Sequence, residues 1–136
     1  MHYISGWESL NLPNENGLTA DWHFENFFKP NQTFKMYDNT NNILHNLGIK
    51  KRFVSLLKGE YYIASFARAI ADLVYFNQTQ GLKNCVNDFL DFNDEIELFQ
   101  YLKIINTKQN VDSFMRLELT NLYFKDKQNA TITPNG

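Results

Sequence analysis

A chain of 136 residues that is 43% hydrophobic and 15% aromatic can form one core without disulfide or metal staples, because a domain of this size buries roughly two-thirds of its unfolded surface. A net charge of -2 and a pI near 5.9 exclude the broad Lys and Arg excess that phosphate neutralisation demands, so nucleic acid is not the expected partner. Cys85, the one cysteine, excludes an internal disulfide and a cysteine-based zinc site, and no window approaches the roughly 18 apolar residues of a membrane helix; we expect a cytoplasmic protein without membrane contact.

The start, Met1-His2-Tyr3-Ile4-Ser5-Gly6, has neither the charge nor the apolar run of a signal peptide. Trp7, Leu10 and Leu12 follow in an irregular stretch, and 13–17 is a turn-rich loop. Thr19 is the expected N-cap of a short helix Ala20–Phe28, with Asp21 in its first turn and Lys29-Pro30 closing it. Its Trp22, Phe24, Phe27 and Phe28 give it an apolar surface to dock on the main body. Residues 33–38 alternate as a brief strand, and Thr40 opens a short helix ending at Gly48. Phe53–Leu57 and Tyr61–Ala64 read as two strands of a hairpin around Lys58-Gly59. The preceding run Lys50-Lys51-Arg52 reads as a solvated edge.

Ser65 is placed to cap a helix reaching about Asn77, in which Phe66, Ile70, Leu73 and Val74 recur on one face. Gly81 interrupts before 82–90, a helical pattern that makes Cys85 a half-buried structural thiol. Asn93 opens the next helix, with Leu98, Phe99, Leu102 and Ile105 inward; Asn110 caps the last, Val111 to about Lys125, with Phe114, Met115, Leu119 and Leu122 on one side. The expectation is a single globular domain over 1–125 with a flexible tail over 126–136. Its class is α+β, mainly α: C-terminal helices packed on a small sheet or hairpin, with an irregular aromatic N-terminal segment across them.

No constellation suggests catalysis. His2, His23 and His45, with Asp21 or Asp38, match no zinc spacing, and Asp21 and His23, two apart on a helix, do not face each other. Asp88, Asp91, Asp94, Glu95 and Glu97 are dense, but they straddle a helix boundary, where carboxylates favour a helix start. Every Arg (Arg52, Arg68, Arg116) follows His45, which excludes the helical ribonucleases that use Arg and then His. There is no phosphate-cradling glycine loop and no Gly-x-Ser-x-Gly elbow. We therefore expect neither enzyme activity, nor a metal, nor a cofactor.

The segment Leu47-Gly48-Ile49 followed by Tyr61-Tyr62-Ile63-Ala64-Ser65-Phe66-Ala67-Arg68-Ala69-Ile70-Ala71-Asp72-Leu73-Val74-Tyr75 resembles part of the abortive-infection antitoxins of type IV toxin–antitoxin systems. In those proteins a short strand ends in Ser and leads into Pro-Glu-Arg-Ala-Leu-x-Asp-Leu. Ser65, Arg68, Ala69, Asp72 and Leu73 match; Phe66 and Ala67 stand where that pattern has Pro and Glu. The likeness spans about thirty residues, and the N-terminal winged-helix DNA-binding domain typical of such antitoxins has no counterpart here. It implies an accessory or antitoxin protein that binds a nucleotidyltransferase-type toxin, with Arg68 and Asp72, four apart on one helix, as partner-binding candidates beside Trp22 and His23. Two alternatives are an RNA-interacting module using Tyr and Phe for stacking with Lys50 to Arg52 on phosphate, and a divalent-ion-dependent enzyme using the carboxylates from Asp88 to Glu97. Oligomeric state has no sequence signal.

Overall fold

The computed structural model describes residues 1–20, 35–82, 85 and 90–118. Most of the expected helix Ala20–Phe28, with Trp22 and His23, lies outside them, as do Asp88 and the tail 126–136. The chain is α+β, mainly α. Two two-stranded antiparallel sheets accompany the helices.

The hairpin between Ile49 and Ala64 is longer than expected. Strand β3 (Ile49–Val54) pairs with β4 (Gly59–Ala64), Lys51 opposite Tyr62 and Phe53 opposite Glu60. Residues Ser55–Leu57, expected to be strand, form a turn of 3-10 helix, and Lys58 takes a left-handed conformation (φ 54°) that reverses the chain. Because strand side chains alternate, Lys51, Phe53, Glu60 and Tyr62 share one face while Lys50, Arg52 and Ile63 share the other. The consecutive cations Lys50-Lys51-Arg52 are thus divided between two faces.

Helix α2 (Phe66–Tyr75) begins where expected, with the Ser65 hydroxyl accepting from the Arg68 N–H at 3.1 Å. The apolar stripe Phe66, Ile70, Leu73 and Val74 is buried, but so is every other residue from 66 to 74. Alanines at 67, 69 and 71 let other elements close on all sides of α2. Helix α3 (Phe92–Ile105) lies along it and buries Leu98, Tyr101, Leu102 and Ile105; Asp91 rather than Asn93 caps it, accepting from the Asp94 N–H at 2.8 Å. A fourth helix, α4, covers 109–118 and buries Val111 and Phe114. Asn110, expected to cap that helix, instead donates its side-chain amide to the Val74 carbonyl, tying α4 to the end of α2. Cys85 is fully rather than half buried, with its sulfur 3.9 Å from Glu118 Oε1.

The N-terminal stretch, expected to be irregular, contains strand β1 (His2–Tyr3) and helix α1 (Gly6–Leu10). β1 pairs with β2 (Tyr37–Asp38), which falls within the strand expected over 33–38, of which 33 and 34 lie outside the described residues, and Ile4 bridges β4 through Ile63. The main core surrounds α2; a smaller one of Ile4, Leu12, Val54 and Ile63 sits beneath the hairpin. The helix expected from Thr40 to Gly48 is a chain of turns instead. Amides at Asn42, His45 and Leu47 each bond the carbonyl three residues back, and the Asn39 side chain bonds the His45 carbonyl and Asn46. Short amide side chains offer the backbone these alternatives, which is why an Asn-rich segment resists helix formation. Among the described residues no helix is long and apolar enough to cross a membrane.

Candidate functional site

Ser65, Arg68 and Asp72 lie along the first two turns of α2, in two layers. Arg68 and Asp72, expected on a partner-binding face, are instead 0% and 1% exposed. Arg68 Nε donates to Asp72 Oδ1 at 3.1 Å; its Nη1 reaches the carbonyls of Leu44, His45 and Leu47, and its Nη2 the Tyr3 hydroxyl at 3.2 Å. The other carboxylate oxygen accepts from Tyr3 at 2.6 Å and Ser5 at 2.7 Å. The Arg68 guanidinium also faces the Tyr3 ring, 5.3 Å from its centroid. Burial, reinforced by the Asp72 charge, raises the Tyr3 pKa, so Tyr3 stays a donor. Side chains this enclosed cannot touch a partner. They clamp β1, the 44–47 turns and α2 together, and a buried ion pair persists because hydrogen bonds offset its desolvation.

Above this node opens a cleft of about 250 Å³. Its floor includes Gly48, Ala64, Ser65 and Phe66. Gly48 is held at φ +74°, and a Cβ there would stand 2.8 Å from Arg68 Cβ and 2.9 Å from Tyr101 Oη, so only glycine lets the turn pass this close. One wall carries Lys50 and Arg52 of β3. Lys50 Nζ lies 3.3 Å from Glu15, and Arg52 donates to the Pro13 carbonyl at 3.0 Å. The other wall is the first turns of α3, with Asp91, Asp94 and Glu97. Glu15 also lines the cleft, and among the described residues no ion pair joins Lys50 or Arg52 to Asp91, Asp94 or Glu97.

Glu97 accepts from Ser65 Oγ at 2.7 Å and from Tyr101 Oη at 2.6 Å, locking α3 to the start of α2. Burial, followed by the charge of Glu97 and its hydrogen bond, raises the Tyr101 pKa and keeps that hydroxyl protonated. Burial and the neighbouring Asp91 and Glu97 push Asp94 up to about 6 from an ordinary 3.8.

The Ser65 hydroxyl is committed on both sides, accepting from Arg68 N–H and donating to Glu97, and among the described residues no histidine lines the cleft. Among the described residues no group of three or more His, Cys, Asp or Glu is arranged to hold a metal. His2 stands at the surface near Asp38, 3.9 Å away, and His45 is exposed, contributing only its carbonyl to the node.

Sequence reasoning missed Tyr3, Ser5, Gly48 as a close approach, and the Ser65–Glu97–Tyr101 triad. Glu97 and Tyr101 are four apart on one helix, a spacing that could have been noticed; their link to Ser65 is purely tertiary. Compared with protein-family models, curated proteins and solved structures, the chain matches none.

Proposed function

We propose that this protein is a cytoplasmic binding protein of the antitoxin type, without catalytic activity of its own, that counters a nucleotidyltransferase-type toxin by direct contact. One observation carries the reading: Ser65, shared with the antitoxin segment, lines an open cleft beside the buried Arg68–Asp72 pair, with Lys50 and Arg52 on one wall and Asp91, Asp94 and Glu97 on the other. Arg68 and Asp72 contribute by positioning the 44–48 turns and the start of α2. The contact itself falls to the cleft walls, Lys50 and Arg52 on one side and Asp91, Asp94 and Glu97 on the other. A cleft of two signs suits a folded protein surface with its own alternating charges. A nucleic-acid strand, by contrast, calls for cations in a continuous row, and here strand alternation splits them.

The test is co-expression with a nucleotidyltransferase-type toxin encoded beside the gene. The wild-type chain relieves growth arrest and co-purifies with the toxin, whereas a variant carrying Asp91→Asn and Arg52→Gln, with unchanged circular dichroism, loses both. Unrelieved arrest with no complex formed by the wild-type chain contradicts the proposal.

A further inference from the structure

The hydrogen bonds of β4 fix which way the backbone groups of β3 point. Ile4 lies on one edge of β4, donating to the Tyr62 carbonyl and accepting from the Ala64 N–H, both at 2.8 Å. Successive residues of a strand turn their N–H and C=O groups to opposite sides, so Tyr61 and Ile63 face β3 and bond their partners Arg52 and Lys50. The N–H and C=O groups of Lys51 and Phe53 therefore point outward, off the far edge of β3. Among the described residues β3 pairs with β4 alone, and no backbone group elsewhere bonds Lys51 or Phe53. Unpaired ladder groups along a strand are a template for a further strand. Charge narrows what that strand can be. Residues 49–64 carry Lys50, Lys51, Arg52 and Lys58 against one carboxylate, Glu60, in a chain whose net charge is -2. Lys50 and Lys51 pair with Glu15 and Glu60, yet at 73% and 56% exposure each stays open to a second carboxylate.

We propose that the outer edge of β3 takes up an extended acidic segment of a partner protein as a third strand. The backbone of that segment pairs with Lys51 and Phe53, and consecutive Asp or Glu residues fall opposite Lys50, Lys51 and Arg52. An apolar residue covers Phe53, which is 66% exposed. Strand alternation divides the three cations between two faces, and it divides three consecutive acids of an added strand in the same way. The same cations keep a second copy of β3 from the edge, because it would set like charges together. This inference does not rest on the proposed function: it concerns the edge of the strand rather than the cleft, and a free peptide tests it with no toxin present.

The probe is the synthetic peptide Thr-Val-Glu-Glu-Glu-Val-Thr, which reads the same in either direction, titrated into the full chain at low salt. Amide hydrogen exchange followed by NMR should find Lys50 and Arg52 slow throughout, because β4 holds them. Lys51 and Phe53 should exchange fast in the free chain and roughly tenfold or more slowly with peptide bound. Phe53→Pro removes an outward N–H, spares the pairing with β4 and should abolish binding. Lys51→Glu should weaken binding roughly tenfold. The peptide Thr-Pro-Glu-Glu-Glu-Pro-Thr, equally acidic but unable to extend a ladder, should not bind. Exchange at Lys51 and Phe53 that peptide leaves unchanged overturns the proposal. So does a Lys51→Glu chain that binds as well as wild type, or equal binding of the proline peptide, which would mean attraction by charge alone.

Discussion

Two ion pairs in this molecule share the same spacing and differ in almost everything else. Arg68–Asp72 and Asp112–Arg116 each join residues four apart on one helix, at 3.1 and 2.7 Å. The first pair is 0% and 1% exposed, while Arg116 is 79% and Asp112 42% exposed. The outer pair has the better order, with the acid nearer the helix N-terminus, and its hydrogen bond lowers the Asp112 pKa and raises that of Arg116. Solvent already satisfies both of its charges, so the contact adds little to stability. The inner pair has the poorer order, yet each charge there has its remaining hydrogen-bonding capacity filled by Tyr3, Ser5 and the carbonyls of residues 44–47. Spacing decides whether two side chains can meet; the neighbours decide what the meeting is worth.

Substitutions that attack the inner pair should therefore have the largest effects. Asp72→Ala leaves the Arg68 guanidinium buried without its counter-charge and should cost about 3–5 kcal/mol in chemical denaturation. Gly48→Ala forces a side chain into a left-handed position against Arg68 and Tyr101. We expect a loss of about 1–3 kcal/mol and a changed near-ultraviolet spectrum as the Tyr101 environment shifts. Ser65→Ala removes the cap of α2 and should cost about 1 kcal/mol, with the Tyr101–Glu97 contact left in place.

Asp94→Asn acts through pH. Between 3.8 and about 6 the folded chain holds a proton on Asp94 that the unfolded chain has released, so the crowding of this carboxylate costs nothing below 3.8 and its full amount above about 6. The variant should melt higher than wild type above pH 6, and the advantage should fade as pH falls through that value. A difference that grows on acidification contradicts the assignment.

Legibility followed the range of the interactions. Ser65 and the stripe Phe66, Ile70, Leu73 and Val74 are local signals, and α2 forms where they place it. The hairpin was visible for the same reason, although the strand start at Ile49 and the 3-10 turn at Ser55–Leu57 were not. The segment 40–48 looked helical because Gly48 resembled a helix end; its glycine instead serves the close approach to Arg68. The burial of Arg68 and Asp72 could not be read from periodicity, which assigns polar residues to the wet side of a helix and has no means of showing that β1 and the 44–47 turns cover that side. Tyr3 and Ser5 carry no local signal at all, since their partner Asp72 is almost seventy residues away in the chain.

The comparison of the two pairs is tested most directly by double-mutant cycles on both, read by chemical denaturation in one buffer. Pairing Arg68→Met with Asp72→Leu should give a coupling energy near or above the roughly 3 kcal/mol upper limit for contacting residues, with the double variant more stable than either single one. Pairing Arg116→Met with Asp112→Leu should give none that can be resolved. Equal coupling in the two cycles, or single variants at Arg68 and Asp72 as stable as wild type, would mean that the start of α2 is not held by a buried ion pair.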